Sequence, residues 1–558
     1  MTQALPATDV RSSRRAQMFP ALTPAQLARV RALGVEQAFE GGAILFDVGD
    51  RGVPFFVVLE GELEIVSPHE AREELVTVHH AAEFTGEVTL LSHGRALVRA
   101  RAKGPIRVVR VEAEALRSLV QTDPDLSEIL VRAFILRRVG LLDAKVGNAV
   151  VVGSRDSAAT LHLQAFLERN NYPYRYLDVA RDPDVDVMLD KLHVDVKDVP
   201  IIICGGGHVM RNPRDAEVAD RLGLNEPIAP GVVHDVVICG AGPGGLAAAV
   251  YGASEGLDVL LIESMAPGGQ AGSSSKIENY LGFPTGISGH ALAGRAITQA
   301  EKFGARISVA RAATRLYCEE TPIRIELAGG SSVLARAVVI ATGAEYGKLD
   351  VPELPKFEGV GVYYAATPIE ANRCSTEDVI VVGGGNSAGQ AATYLAMTCR
   401  KVHVLVRGHD LAASMSRYLV RRIEETPNIT LHRCTEIIGL EGDAHLERVR
   451  WRDNTTKEEA THAVRHVFSM IGARPNSLWL DGCLALDAKG FVLTGSELSA
   501  AELGEQGWTL PRPPHLFETS QPRIFAVGDV RSSSVKRVAS AVGEGSVCIQ
   551  LVHKSLTE

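Results

Sequence analysis

Two stretches of the chain repeat one pattern: an apolar run, a glycine cluster, an alanine-rich run and a second apolar run. The first is HDVVICGAGPGGLAAAVYGASEGLDVLLIES, built on Gly240-x-Gly242-x-x-Gly245 with Pro243 and Gly244 inside the loop. The second is DVIVVGGGNSAGQAATYLAMTCRKVHVLVRG, built on Gly383-x-Gly385-x-x-Ala388 with Asn386 and Ser387 inside. Each predicts strand, tight turn, helix, strand. The first glycine makes the turn, the second lets backbone N–H groups approach a pyrophosphate, and the third position lets helix pack on strand. The pyrophosphate then sits at the positive end of a helix. Glu263 ends the second strand of the first copy, where an acid holds a pair of ribose hydroxyls. The second copy has Arg407 at that place. A carboxylate would repel a 2′-phosphate, whereas a guanidinium pairs with one, so this copy is read as preferring NADPH over NADH. Arg417 supplies a second cation nearby in sequence.

A chain of 558 residues is too long for one core, and about three or four domains are expected. Its net charge of −9 disfavours nucleic acid as a partner. The opening MTQALPATDVRSSRRAQMFP has no apolar run behind its arginines, and no stretch reaches the roughly 18 apolar residues of a membrane span. A cytoplasmic protein without membrane contact is expected. None of the eight cysteines stands in a CxxC, so buried, reduced thiols are expected, with Cys374 alone. No Cys/His cluster has ligand spacing, and no metal is expected.

Residues 18–145 hold short strand-like runs, GAILFDVG, FFVVLEGELEIVS, ELVTVHH and PIRVVRVEAEAL, between a helix capped by Thr23 and one helical tail. GDRGVPFFVVLEGELEIV with FTGEVTLLSHGRALVRARA resembles the cyclic-nucleotide-binding domain family. The resemblance implies that Gly86 and Glu87 open a phosphate cassette and that Arg95 meets a cyclic phosphate. Leu97-Val98 replace the hydroxyl residue of that pattern, so a live pocket and a re-purposed one both stay open. From 148, NAVVVGS, SAATLHLQAFLERNN, YRYLDVA, DPDVDVMLDKLHV and VPIIICGGGHVM alternate strand and helix. The order resembles the thioredoxin/glutaredoxin family, with Val199-Pro200 at its cis-proline position. Ser154-Arg155-Asp156-Ser157 stand where that family has CxxC, which implies docking or spacing and not dithiol exchange.

The block from 232 onward resembles the low-molecular-weight thioredoxin reductases, of the pyridine nucleotide–disulfide oxidoreductase superfamily. GAGPGG, GGQ (268–270), ENYLGFP (278–284), VVIATGA (338–344), GGGNSA and RIFAVGDV (523–530) stand in family order. The resemblance implies FAD in the first copy and NADPH in the second. It places Gly269, Gln270 and Asn279 against the flavin or its ribityl chain, and Thr342-Gly343 where the chain leaves the FAD domain. It puts Asp529 on the ribitol and Arg537, Val538 and Ala539 along the flavin ring. The expected architecture is multidomain: a β-roll with helices, a thioredoxin-like α/β domain, then two Rossmann-like three-layer α/β domains. The boundaries are 1–147 (cyclic-nucleotide-binding-like), 148–231 (thioredoxin/glutaredoxin-like, without CxxC), 232–346 with 477–558 (FAD) and 347–476 (NADPH).

In that family a CATC dithiol followed by an acid precedes the second glycine loop. Here the chain reads Ala365-Ala366-Thr367-Pro368-Ile369. Hydride transfer between the cofactors does not need sulfur. The expectation is therefore an FAD-dependent NAD(P)H oxidoreductase that delivers electrons directly to a ferredoxin, a flavodoxin or a small acceptor, and pairs as a homodimer. Disulfide reduction through other thiols, and a nicotinamide-redox or cyclic-nucleotide sensor, stay open as alternatives. No catalytic side chain is singled out.

Overall fold

A computed structural model of the chain describes residues 15–558, apart from 69–72, 93, 145–148, 156, 183–184, 186–188, 190–197, 205–207, 275, 412–414 and 444. The chain divides into two compact units, Met1–Ser154 with Asn170–Ile228 and Thr298–Val309, and Arg155–Arg169 with Ala229–Ile297 and Ala310–Glu558. Among the described residues, no helix is long and apolar enough to cross a membrane.

The first unit opens with helix α1 (Pro24–Arg31), capped by Thr23 in a reciprocal box with Gln26. Strands β1 (Val35–Phe39), β2 (Ile44–Phe46), β3 (Phe55–Glu60), β4 (Leu63–Pro68), β5 (Glu73–His79), β6 (Arg99–Ala102) and β7 (Ile106–Val111) follow. They form two sheets, ordered β1-β7-β3 and β2-β6-β4-β5, which make the roll. Phe55 to Val58 are all buried, as a continuous apolar run implies for a strand covered on both faces. The helical tail is two helices and not one, α2 (Ala113–Thr122) and α3 (Pro124–Asp143). Pro124 disfavours the helical conformation at the residue before it, and Asp123 is extended at φ −113°, capping Leu126. Phe134 of α3 joins Phe55 and Phe84 in an aromatic cluster with centroids 5.6–6.4 Å apart.

The same unit continues with β8 (Ala149–Gly153). Helix α4 (Ala158–Arg169) follows in the chain and buries Thr160, Leu163, Phe166 and Leu167; Leu161 is only half-buried. Strands β9 (Tyr174–Asp178), β10 (Ile201–Cys204) and β11 (His208–Arg211) complete a sheet ordered β11-β10-β8-β9. β8 and β9 run parallel and β10 antiparallel to both its neighbours, the order and directions of a thioredoxin-type sheet. The Val199–Pro200 bond is cis, as its position suggests. The expected helix DPDVDVMLDKLHV and the Gly205–207 turn lie largely outside the described residues. Helix α5 (Asp215–Leu222) ends on Gly223 in the left-handed conformation. Asn225 is anchored by a two-way hydrogen bond with the Val309 backbone at 2.7 and 2.9 Å.

The second unit is built on two sheets. Its first Rossmann-like half uses β12 (Val233–Cys239), α6 (Pro243–Ser254), β13 (Val259–Ile262), the start of α7 (Gly289–Lys302), β15 (Ala313–Tyr317), β16 (Ile323–Leu327) and β17 (Ser332–Ile340), whereas the end of α7 and β14 (Arg306–Ser308) fall in the first unit. Within this unit the sheet runs β13-β12-β17-β16-β15. β17 pairs antiparallel with β16 through its first half and parallel with β12 through its second.

Strand β18 (Ala344–Gly347) leads into the other half: β19 (Val362–Tyr363), α8 (Pro368–Arg373), β20 (Asp378–Val382), α9 (Asn386–Leu395), β21 (Lys401–Leu405), α10 (Arg417–Glu425) and β22 (Ile429–His432). A meander of β23 (Thr435–Glu441), β24 (Arg448–Asp453) and β25 (Glu459–His462) follows, then β26 (His466–Ser469). Five parallel strands run β19-β26-β20-β21-β22. Because side chains alternate along a strand, Val379 and Val381 join the helix-side core with Ala388, Ala391, Ala392 and Leu395, while Ile380 and Val382 join the meander-side core with Ile437 and Trp451. The chain returns through β27 (Ile471–Pro475), paired antiparallel with β18. It ends with β28 (Ile524–Ala526), parallel to β17, and α11 (Val538–Thr557).

Candidate functional site

The first glycine loop follows from β12 being buried along its inner residues and stopping at Gly240. Gly240 has φ +106°, and a Cβ there would lie 2.4 Å from the Ala341 carbonyl oxygen. A Cβ at Gly245 would lie 1.9 Å from the Gly240 carbonyl oxygen, so α6 rests directly on the turn. Gly242 is different: it caps α6 ahead of Pro243, and the space where its Cβ would stand is open. That is the cradle a pyrophosphate needs at a helix N-terminus. The Glu263 carboxylate accepts the Ala241 N–H at 2.8 Å and the Met265 N–H at 3.0 Å, which fixes it beside the loop.

Other motif residues converge here. Gly268 donates to the Ala241 carbonyl at 2.8 Å, and a Cβ on Gly269 would lie 3.0 Å from Gly242 Cα. Gln270 donates its amide to the Ala344 carbonyl. Gly244 faces Ala541 of α11, and the same helix brings Gly545 against the Gly244 carbonyl. Asp529 lies in the turn between β28 and α11, where burial raises its carboxyl pKa against the pull of Lys536. Arg537 caps α11, with Val538 and Ala539 in its first turn. Thr342 and Gly343 are tied to the returning strand: Thr342 Oγ1 donates to the Asn476 carbonyl at 2.8 Å, and the Asn476 side chain donates back at 2.9 Å. Asn279 is exposed, next to Glu278, which pairs with Arg422 at 2.8 Å.

The second loop repeats the geometry. A Cβ on Gly383 would lie 2.4 Å from the Met470 carbonyl oxygen, whereas Gly385, capping α9, faces open space. Ala388 is fully buried at the third position. Asn386 accepts the Ser416 N–H at 2.7 Å, and Ser387 hydrogen-bonds Tyr346. Arg407 and Arg417 are both exposed, at the end of β21 and the start of α10. The residues present fit two dinucleotides, one at each loop.

A narrow cleft lies between these loops. Gln270 and Ser273 line one side, Tyr346 and Ser387 another, and Ala365 and Ala366 a third. The cysteines depart from expectation in two ways. Cys318 and Cys483, 165 residues apart in sequence, form a disulfide, so the chain is not uniformly reduced. Cys374 is not alone: its sulfur lies 3.6 Å from that of Cys399. Both thiols are buried, and the hydrogen bond shared with Cys399, then burial, pushes the Cys374 thiol far above the ordinary thiol range. No local spacing announces this pair, because the two residues close different helix ends.

In the first unit, Gly86 and Glu87 line a cavity but Arg95 does not. Arg95 packs against Gly223, where any Cβ would lie 2.4–2.5 Å from its side chain. Glu87 is ion-paired with Arg138 at 2.9 Å and accepts the Thr89 hydroxyl. The three predicted residues are therefore not assembled around one phosphate. Sequence reading missed Arg137, on the cavity wall; its signal was the Arg137-Arg138 pair within the apolar FILRRVG.

Residues 234–545 match the profile of pyridine nucleotide-disulphide oxidoreductases, and residues 36–123 that of the cyclic nucleotide-binding domain. The chain is 34% identical over 314 residues to a thioredoxin reductase of Mycolicibacterium smegmatis, covering 56% of this chain and 93% of that one. It is 30% identical over 329 residues to a thioredoxin reductase of Ureaplasma parvum, covering 58% and 97%. The crystal structure of Lactococcus lactis thioredoxin reductase in its FR conformation superposes with a TM-score of 0.52 at 26% identity, covering 58% of this chain and 99% of that one. That family uses FAD and NADPH. The chain belongs to the pyridine nucleotide-disulphide oxidoreductases, as an FAD-dependent NAD(P)H oxidoreductase of thioredoxin-reductase type.

Proposed function

We propose that this enzyme draws electrons from NADPH and delivers them from the flavin site directly to an acceptor, a one-electron carrier protein of the ferredoxin or flavodoxin kind or a small molecule such as a quinone. The observation that carries the reading is Ala365, a cysteine position of the family's dithiol motif, on the cleft that Gln270 and Ser387 also line. Ala365 and Pro368 stand where the sequence likeness places the two sulfurs of a CATC dithiol. Neither can form or break a disulfide.

In this reading residues 232–346 and 477–558 hold FAD and 347–476 hold NADPH. The Gly240–Gly245 and Gly383–Ala388 loops cradle the two pyrophosphates, Glu263 holds a ribose, and Arg407 with Arg417 meets the 2′-phosphate. Gln270, Asn279, Asp529 and the Arg537–Ala539 turn serve the flavin. Bound in these sites, the two cofactors supply hydride transfer and release of electrons. The protein orients the sites and closes the cleft to water; residues 1–147 and 148–231 are accessory modules. The same reading has the enzyme act as a cytoplasmic homodimer, which light scattering tests as far as pairing is concerned.

A second reading, reduction of a disulfide partner, is favoured by one observation, the 3.6 Å approach of Cys374 and Cys399. Anaerobic NADPH oxidation with ferredoxin, flavodoxin, a quinone and a disulfide as separate acceptors decides between them. The first reading expects turnover with one of the first three, unchanged in Cys374→Ser with Cys399→Ser. Disulfide turnover lost in that double variant would establish the second.

A further inference from the structure

A partly open cavity of about 250 Å³ lies between the roll and helix α3. Most of its wall is apolar, with Phe46, Val53, Ile65, Leu90, Leu97 and Leu141 among its residues. Its ionisable side chains are Arg137, His79 and Glu87, with the hydroxyls of Thr77, Thr85 and Thr89 also on the wall. Arg137 comes from α3 and is only 7% exposed. Its Nε donates to the Met18 carbonyl at 2.9 Å and its Nη1 to the Gly86 carbonyl at 2.8 Å. Phe19 and Phe84 lie 5.2 and 4.7 Å from the guanidinium carbon. Nη2 is buried without a hydrogen-bond partner, and so is Nδ1 of His79, a residue 2% exposed.

A buried cation costs folding free energy unless an anion answers it. Glu83 and Glu87 act on Arg137 through space, but each is also engaged elsewhere. Glu87 pairs with Arg138, and Glu83 accepts the His80 N–H at 2.9 Å and lies 3.6 Å from His79. Burial lowers the Arg137 pKa only to about 9, so the group stays charged at neutral pH. A mostly apolar chamber whose guanidinium keeps one unpaired Nη2 matches a ligand that is apolar along its length and anionic at one end. It does not match a cyclic nucleotide, whose ribose and base carry polar groups throughout. The residues that would read those groups are committed: Glu87 to Arg138, and Arg95 to its packing on Gly223.

We propose that the cavity of the N-terminal roll binds a medium-chain carboxylate, its head at Arg137 and its chain among Phe46, Ile65 and Leu97, and that it does not bind cyclic nucleotides. Calorimetry on the full-length, FAD-loaded protein tests this, with decanoate below its micellar range, decanol, cyclic AMP and cyclic GMP as probes. The expected result is saturable binding of one decanoate per chain, at least ten-fold weaker binding of decanol, and no heat with either cyclic nucleotide. Arg137→Met should weaken decanoate at least ten-fold, to the level of decanol. Because Arg137 also holds two backbone carbonyls, Val76→Trp serves as an independent variant: it fills the cavity from a half-buried wall position and should abolish decanoate binding with the guanidinium intact. Saturable binding of either cyclic nucleotide, decanol binding as tightly as decanoate, undiminished decanoate binding in Val76→Trp, or no decanoate binding at all would each overturn the proposal.

Discussion

The sulfurs of Cys374 and Cys399 face each other at 3.6 Å inside the core that α9 forms against β20, beside the cleft but not open to it. Buried thiols are poor nucleophiles because a reagent cannot reach them. The six cysteines outside the Cys318–Cys483 bond are all buried. Ellman titration of the native protein should therefore find no rapidly reacting thiol. Denaturation without reductant should reveal six thiols, and denaturation after reduction all eight cysteines. Eight thiols before reduction would remove the disulfide. A fast native pair would move Cys374 and Cys399 from packing residues to candidates for electron transfer.

Arg407 follows a strand whose counterpart ends in Glu263. An exposed guanidinium at a ribose position gains from a 2′-phosphate about as much as a charge-assisted pair provides, roughly 1.5–3 kcal/mol. Arg407→Glu should raise KM for NADPH by at least ten-fold and leave KM for NADH within about three-fold, with kcat nearly constant. Unchanged selectivity between the two nucleotides in steady-state kinetics would clear Arg407 of this role.

The two glycine loops were legible because their chemistry is local. Turn, backbone approach and helix packing each constrain a residue within a few positions, and Gly240, Gly245 and Gly383 show the close contacts that exclude a Cβ. The break at Asp123–Pro124 was equally local but was overrun by the apolar pattern on both sides. What stayed hidden depends on residues distant in sequence. Cys318 meets Cys483, Cys374 meets Cys399, and Thr342 meets Asn476, each through strands or helix ends that the fold brings together. Arg95 stands at the position of a phosphate clamp in sequence, yet Gly223, far along the chain, left room for its side chain to pack there.

Glycines in one motif are expected to fail differently. At Gly245 an alanine Cβ would collide with the Gly240 carbonyl at 1.9 Å, and neither backbone can yield without moving α6 off β12. Gly245→Ala should lower stability by about 1–3 kcal/mol, the usual range for overpacking, and purify with little flavin. At Gly242 the space is open, so Gly242→Ala should keep the apoprotein's melting temperature while weakening FAD binding. Thermal melts of apoprotein with flavin titrations separate the two. Equal loss of apoprotein stability in both variants would contradict the assignment of Gly242 to the ligand side.

The pH response should come partly from a histidine cluster beside the five-stranded parallel sheet. His403 Nδ1 lies 3.0 Å from His432 Nε2, and His462 stacks on Trp451 at 3.5 Å. Burial first, then repulsion from His432 and Lys401, holds His403 down at about 4; burial also lowers His432 and His462. An unfolded imidazole takes up its proton near pH 6.5. Between about 6.5 and 4 the unfolded chain therefore binds protons that the folded chain refuses, and stability falls as pH drops through that window. Calorimetric melts between pH 7.5 and 4.5 should show the falling midpoint, and His403→Phe should flatten its slope by about a few degrees over the window. Carboxylates titrate in the same acid range, so the comparison of slopes isolates the imidazole. A variant that shifts the midpoint equally at every pH would show that His403 matters for packing alone.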